Sequence, residues 1–440
     1  MNTKDRLELA HWVVAAARAE GAAEVAVDIT NSREIEIEHR DGQLDKVKES
    51  TQNSLSLDVY VEGKYSGHTT NDLRRDSLGR FVSEAVAMTK YLTEDPFRKL
   101  PDPEQYQGQQ QMDLDLTDGS YDSITADQRV KVARELQLHT SSLSDKIIST
   151  TASYNDGQTE SVKVLSNGFE GTRNSTTFSA GVEVTIDDGQ GGRPSDYDYA
   201  TTRFLSDIPS LEKLGQSAVD KAVAKIGQTK LESGMYDMVI VNRAASRPLG
   251  ALRGPMTGRS LQQKRSYLDG KLGQRIASEK LTVIDDPFVK RGLGSRTFDP
   301  EGMATRRRVM IDKGILKEYY INCYYARKLG VEPTGGSTTN TVFEYGDKSV
   351  DDLVRLMNRG ILVTGMIGGN SNSTTGDYSW GIRGALIEDG RPVKPVYEMN
   401  ISGNLEGLWG NLVEVGNDPF EYSSLRRPSF YFKDVQFSGL

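Results

Sequence analysis

Thr374-Thr375-Gly376-Asp377-Tyr378-Ser379-Trp380-Gly381-Ile382-Arg383-Gly384-Ala385-Leu386-Ile387-Glu388-Asp389-Gly390, running on to Pro395-Val396-Tyr397-Glu398-Met399-Asn400-Ile401-Ser402-Gly403-Asn404, is the stretch from which the remainder of the chain can be read. Ala385-Leu386-Ile387 leads into Asp389-Gly390, a pair suited to a two-residue turn whose central residues need positive φ. The stretch therefore reads as a β-hairpin between two polar loops. Pro392 and Pro395 on the return arm have no N–H to give a ladder, which makes that arm an edge strand or irregular. Small hydroxyl, Gly and Asn residues crowd both flanking loops. Such residues make turns. They also let a backbone approach a ligand closely and offer short-range hydrogen bonds.

Outward from the hairpin, alternation and turn signals recur. Met235 to Val241 reads as a buried strand, and Arg306 to Met310 followed by Lys313-Gly314 and Ile315 to Ile321 as strand, turn and strand. Phe430-Tyr431-Phe432 and Val435-x-Phe437 suit a last strand tucked into the sheet. In the first half, residues 4–20 carry Leu7, Ala10, Val13, Val14 and Ala17 at helical spacing, with Gly21 as stop. Residues 34–38 and 55–61 alternate polar and apolar, with turns at Asp41-Gly42 and Glu62-Gly63. Asn71 or Asp72 is placed to cap a second helix over Leu78 to Thr89. Pro- and Gln-rich residues 94–120 suit an exposed connector, and Thr125 with Gln128 a capping box for a third helix. Further hairpins are expected over Ile147 to Phe169, turning at Asn155-Asp156-Gly157, and over Thr177 to Phe204 with a flexible tip at Asp187 to Gly192. Pro209 precedes a helix ending near Gly227. The expected fold is α+β in two domains. Residues 1–230 pack N-terminal helices on an antiparallel sheet, and residues 231–440 are β-rich with antiparallel sheets.

The chain's 440 residues are enough for two or three domains and a large core without disulfide support. With 54 basic and 62 acidic side chains, its net charge of −8 argues against general nucleic-acid binding, which draws on a basic surface. The single cysteine, Cys323, allows no internal disulfide and fits a reducing compartment; its aromatic surroundings suit a small buried residue rather than a nucleophile. No apolar run of signal-peptide length follows the N-terminal charges, and no stretch of about 18 apolar residues occurs. A soluble cytoplasmic protein without membrane contact is expected.

Familiar catalytic patterns are missing. Asp187 to Gly192 lacks both the alternating ligands of a calcium loop and the Lys-Ser/Thr ending of a phosphate loop. Gly365 to Asn370 leads into Ser371 to Thr375 rather than a helix, against a nucleotide role. There is no Gly-x-Ser-x-Gly elbow. The four histidines, His11, His39, His68 and His139, all precede residue 140, and no two share a helical ligand spacing.

The opening stretch resembles the TldD/PmbA family, whose members carry a Thr-Gly-Asp-aromatic-Ser loop, a hairpin ending in Pro-Val and an Ile-x-Gly-Asn segment. Asp285-Asp286-Pro287, Phe298-Asp299-Pro300-Glu301-Gly302, Thr305-Arg306-Arg307, Ile315-Leu316-Lys317 and Ala326-Arg327-Lys328-Leu329-Gly330 extend the likeness through the middle section. The resemblance implies two paralogous subunits working as a pair. One is a zinc peptidase through a His-Glu-x-x-x-His helix just after the first strand of the C-terminal domain; the other lacks it. The matching window here, Asn242 to Lys264, contains no His, Cys, Asp or Glu, and its charged residues are all Arg or Lys. Catalytic zinc takes three N, O or S side chains, so the chain resembles the PmbA (TldE) side, with no cofactor of its own and zinc expected only in a partner.

The implied role is a non-catalytic subunit of a metallopeptidase acting on unfolded peptides, paired with a zinc-bearing TldD-like paralogue. The alternative is a stand-alone homodimer that holds peptides or a protein without hydrolysis, such as an indirect modulator of DNA gyrase. Independent enzymatic activity through a carboxylate metal site stays a third possibility. No catalytic or metal residue is assigned. Thr374, Thr375, Gly376, Asp377, Tyr378, Asn400, Ser402, Gly403 and Asn404 are the candidates for lining a peptide path. Arg243, Arg247, Arg253 and Arg259 form either a solvated face with structural ion pairs or a contact for a peptide carboxylate or an acidic partner patch.

Overall fold

The computed structural model describes residues 1–440. Helix α1 (Thr3–Ala19) opens on a reciprocal capping box between Asn2 and Asp5 and buries Leu9, Ala10, Val13, Val14 and Ala17. Strands β1 (Glu24–Arg40), β2 (Gln43–Val61) and β3 (Lys64–Thr70) form the expected meander. Both of its turns have positive φ at both central residues, 45° and 84° at Asp41-Gly42 and 50° and 74° at Glu62-Gly63, which matches the right-handed twist of the flanking strands.

Helix α2 (Arg75–Thr89) buries Leu78, Val82, Ala85, Val86 and Thr89 as its spacing predicts, but its cap differs from expectation. Arg74 occupies the N-cap without a side-chain bond, and Asp72 instead accepts from the Arg74 N–H at 3.1 Å, an Asx-type turn just outside the helix. The connector over residues 94–120 carries no α-helix or strand and is pinned by buried Leu100 and Leu114. Helix α3 (Ala126–Ser141) starts at the predicted Thr125–Gln128 box.

Strands β4 (Ile147–Leu165), β5 (Glu170–Ile186) and β6 (Ser195–Thr202) complete a six-stranded antiparallel sheet in the order β3-β2-β1-β4-β5-β6. Helix α4 (Leu211–Val223) packs on β5 and β6 and stops short of Gly227. Val25, Val27, Ile29, Ile35 and Ile37 of β1 all share parity and face the helix layer. The expected turn at Asn155-Asp156-Gly157 does not form: β4 runs straight through it, with Asp156 opposite Ile35 and Phe178. Buried Asp156 accepts from the hydroxyls of Tyr121 at 3.0 Å and Tyr154 at 2.8 Å and from Arg129 Nε at 2.5 Å. These tertiary partners override the local turn preference. A Cβ at position 157 would meet the Arg33 carbonyl at 3.0 Å, a close approach that Gly157 permits.

The C-terminal half begins with β7 (Gly234–Ile240), then α5 (Ser246–Arg253) and α6 (Gly258–Gln262). A small sheet follows, made of β8 (Val283–Asp286), β9 (Arg308–Asp312), β10 (Ile315–Leu316) and, after α7 (Cys323–Leu329), β11 (Asn340–Phe343). Strand β10 is shorter than expected because the chain leaves β9 to bond the α5–α6 segment, Tyr320 N–H to Met256 O and Gly258 N–H to Tyr320 O. Cys323 is buried, and burial raises its thiol pKa. Helix α8 (Val350–Arg355) precedes β12 (Arg359–Ser371), β13 (Asp377–Glu388) and β14 (Arg391–Asn404); α9 (Leu405–Gly410), β15 (Leu412–Val415) and β16 (Phe430–Ser438) end the fold.

The large C-terminal sheet has the order β14-β13-β12-β7-β16-β15, and its one parallel pair is β7–β12. Asn400 and Ile401 of β14 also pair with Ser438 and Phe437 of β16, so five strands meet in a ring at that end. Asp389-Gly390 forms the expected hairpin turn with φ 48° and 71°. The arm carrying Pro392 and Pro395 is the outer strand, as its prolines require; before Asn400 its other side pairs only with Thr229, which donates to Pro395 O and accepts from Tyr397 N–H. A core of 41 buried residues, including Trp380, Trp409, Phe430, Phe432 and Phe437, fills the interior of this half. No helix is long and apolar enough to cross a membrane.

Replacing Asp156 with Ala leaves Arg129 buried without its counter-charge. The expected loss is roughly 3–5 kcal/mol of stability, to be read by denaturant unfolding, with Phe178→Leu as a milder control in the same core.

Candidate functional site

The window after β7 folds as a short helix whose inner face is apolar. Pro248, Leu249 and Leu252 of α5 are buried in the core, which turns Arg247 to the other side; Arg243 lies in the loop before the helix. Asn242 anchors the loop: its N–H donates to Ser429 Oγ at 2.9 Å and its Nδ2 to Asp418 O at 2.8 Å. Between this window and the β6–α4 edge of the N-terminal half lies a cleft of about 690 Å3.

Six cations border the cleft: Lys221 and Lys225 from α4, Arg243, Arg247, Arg383 from β13, and Arg427. Two aspartates of β6 are each shared by two of them. Asp196 lies 2.8 Å from Lys225 Nζ and 3.4 Å from Arg383 Nη2. Asp198 accepts from Lys221 Nζ at 2.9 Å and from Arg243. The Arg243 guanidinium also lies against the rings of Tyr199 and Phe420, 5.2 and 4.7 Å from their centroids. Arg247 has no carboxylate partner and donates to the carbonyls of Gly368 and Gly369. Arg427 is only 6% exposed; its guanidinium lies 4.5 Å from the Phe420 ring centroid and makes one hydrogen bond, a 3.3 Å contact to Leu425 O, with Nε unpartnered. Burial lowers the pKa of Lys221 and of Lys225, against the pull of Asp198 and Asp196 respectively. Burial also lowers that of Arg427.

Among the four arginines of the window, Arg243 makes the anticipated structural ion pair, Arg247 binds backbone carbonyls, and Arg253 and Arg259 are exposed. The cleft lining includes no His, Cys or Glu, and its carboxylates are engaged. Asp196 serves two cations, and Asp418 accepts from Ser429 N–H at 2.9 Å and Oγ at 2.7 Å. A catalytic zinc needs three N, O or S side chains and an open position; these residues do not fit one. No group of three or more His, Cys, Asp or Glu suited to a metal is found elsewhere. The histidines lie in the N-terminal half, with His11 bonded to Glu170, His39 to Gln137 and His68 to Ser66.

The loops around the β13–β14 hairpin come together at the far end of β13. Thr375 Oγ1 donates to Asp377 Oδ2 at 2.7 Å, and Asn404 Nδ2 donates to Thr375 O at 2.9 Å and Asp377 Oδ1 at 3.1 Å. These bonds, from Thr375 first and then Asn404, hold the Asp377 carboxyl below its ordinary pKa. Asp377 pairs with Asn404, Tyr378 with Gly403 and Ser379 with Ser402 across the ladder. Thr374, Thr375, Asp377, Asn400, Gly403 and Asn404 are exposed and Ser402 is half-buried. Gly376 and Tyr378 are buried, Tyr378 stacking on Trp380 at 4.4 Å with its hydroxyl pKa pushed up to about 12 by burial.

None of these residues borders the basic cleft. Five residues of β13 separate Tyr378 from Arg383, about 17 Å at ~3.4 Å per residue. The cleft's other contributors, Asp196, Asp198, Lys221, Lys225 and Arg427, come from segments with no shared motif, so local sequence carried no sign of them. Of the cleft's charged residues Arg383 alone lay within the hairpin stretch, together with the uncharged Gly384, Ala385 and Val396.

Sequence models of three domains of one family match the chain: PmbA/TldA metallopeptidase domain 1 over residues 25–89, the central domain over 119–226 and the C-terminal domain over 233–439. A protein named metalloprotease PmbA of Escherichia coli O157:H7 is 29% identical over 434 residues, 97% of this chain and 94% of its own length. A metalloprotease of Methanothermobacter thermautotrophicus is 28% identical over 406 residues, 88% of this chain and 86% of its own. A crystal structure described as a putative modulator of DNA gyrase from Bacteroides thetaiotaomicron superposes with a TM-score of 0.97 at 40% identity, covering 100% of both chains. The fold is also that of TldE from Thermococcus kodakarensis, with a TM-score of 0.88 at 20% identity over 98% of this chain and 100% of that one.

In the hairpin loops, Gly376 has φ +82°, and a Cβ there would lie 3.2 Å from Asn404 Nδ2 and 3.3 Å from the Tyr267 ring. Gly376→Ala is expected to cost about 1–2 kcal/mol through the left-handed backbone alone, measured as a lowered thermal midpoint.

Proposed function

The chain belongs to the PmbA/TldD metallopeptidase family, and from that premise we propose that it is a metal-free, PmbA/TldE-like subunit that works beside a zinc-bearing TldD-like paralogue in the proteolysis of unfolded peptides in the cytoplasm. The observation that carries this reading is the window after β7. Where the resemblance places His-Glu-x-x-x-His, this chain supplies Arg243 and Arg247 beside a basic cleft and no metal donors. A site of that charge repels a divalent cation. Bond breaking is then the paralogue's task, and this chain contributes shape and grip.

Two features suit the second role. The start of β14, residues 391–394 before the bridge to Thr229, pairs only with β13, and its outer edge can add a strand to an extended peptide. At the other end of the hairpin, Thr374, Thr375, Asp377, Asn400, Ser402, Gly403 and Asn404 offer hydroxyl, amide and carboxylate groups at the surface for backbone hydrogen bonds. Buried Gly376 and Tyr378 hold that surface in place rather than touch a ligand.

The test is to purify the chain alone and after co-expression with a His-Glu-x-x-x-His paralogue, then measure zinc by atomic absorption and cleavage of an unfolded peptide. Zinc and cleavage are expected only in the co-purified complex. Stoichiometric zinc with cleavage by the chain alone overturns the proposal, and a stable homodimer that binds peptide but ignores the paralogue favours a stand-alone binding protein.

A further inference from the structure

We propose that the basic cleft between the two halves is a carboxylate site that takes the free C-terminal end of a peptide. This rests on the reading of the chain as a peptide-handling subunit and adds to it a ligand group and a place. Charge bookkeeping comes first. Lys221, Lys225, Arg243, Arg247, Arg383 and Arg427 face the cleft, against the carboxylates of Asp196, Asp198 and Asp418. Asp196 and Asp198 are each divided between two cations, and Asp418 is occupied by Ser429. An excess of three positive charges remains by this count.

Two of the six cations have no carboxylate partner. Arg247 bonds only backbone carbonyls, and Arg427 is more than nine-tenths buried with Nε unsatisfied. A buried guanidinium without a counter-charge, as Arg427's is, is costly; half-buried Arg247 lines the same cleft, and a planar fork is matched by a carboxylate. An arriving carboxylate would satisfy the site as no residue of the chain does.

The walls decide between a peptide end and a free anion. Val241, Leu362, Met366 and Val396 add apolar surface to the same lining. Phosphate would meet the charge and leave that apolar surface bare; the last residues of a peptide would cover both. The volume of about 690 Å3 lies within the roughly 300–1,000 Å3 of clefts that hold small organic ligands. Arg247 also ties the cleft to the hairpin. It grips the carbonyls of Gly368 and Gly369, which stand opposite Gly381 and Trp380 in the β12–β13 ladder, so the site shares β13 with the exposed loop surface.

Calorimetric titration of the full chain tests this with an N-acetylated uncharged tetrapeptide as free acid, the same peptide as C-terminal amide, and inorganic phosphate. The free acid should bind on the order of tenfold tighter than the amide and than phosphate. Arg247→Gln and Arg427→Gln should each remove most of the preference for the acid, with thermal melts confirming that the variants are folded. Equal affinity for acid and amide, no binding of either, or phosphate binding as tightly as the acid overturns the proposal on the unmutated chain alone. Co-purification of Arg247→Gln with a zinc-bearing paralogue reads the subunit role separately. An intact complex, together with an unmutated chain that shows no preference for the acid, sinks the carboxylate site and leaves the subunit reading standing.

Discussion

Asp198, on the last strand of the N-terminal sheet, carries the contact on which the arrangement of the two halves turns. Its carboxylate is nearly buried and binds Lys221 from its own half and Arg243 from the other. A buried carboxylate needs such partners, and Arg243 in turn is set by the touching rings of Tyr199 and Phe420. Two residues earlier on β6, Asp196 repeats the device with Lys225 and Arg383. Alternation along a strand puts both aspartates on one face, so one edge of one sheet fixes the helix α4, the loop after β7 and the middle of β13. The cleft is what remains between these fixed points.

Much of this was legible in the chain itself, and what was not has a common cause. Asp41-Gly42, Glu62-Gly63 and Asp389-Gly390 form the turns they promise because the conformational demand is met within two residues. The Thr125–Gln128 cap and the apolar stripe of α2 are equally local. Asn155-Asp156-Gly157 has the composition of a turn and is instead the middle of a long strand. The deciding partners, Tyr121 and Arg129, lie more than twenty residues away, and no window around Asp156 contains them. The edge character of the Pro392–Pro395 arm was readable since a missing N–H is a property of the residue alone.

The site divides along the same line. Residues 374–378 and 400–404 are each a short motif, and the ladder of β13 and β14 does bring them together. The cleft is assembled from β6, α4, the loop after β7, β13 and the segment before β16, each contributing one or two charges. Only the arginines after β7 stood out in the sequence, as the residues of a window that resemblance marked as important. Their separate fates, an ion pair, a grip on carbonyls and two exposed side chains, follow from their places: Arg243 in the loop before α5, Arg247 and Arg253 on the face of α5 turned from the core, and Arg259 on α6.

The placement of β16 has a consequence for the order in which the C-terminal half can form. β7 is the first strand of that half to be made, and its two neighbours are β12 and β16. One side of β7 thus waits through most of the half's synthesis, and the other waits for the final strand to leave the ribosome. Sequence-distant pairings of this kind form slowly and leave apolar edges open meanwhile. Tyr236, Met238 and Ile240 of β7 belong to the core that Phe430, Phe432 and Phe437 later complete. The nascent half is therefore the stage at which this chain most needs a chaperone or an early partner.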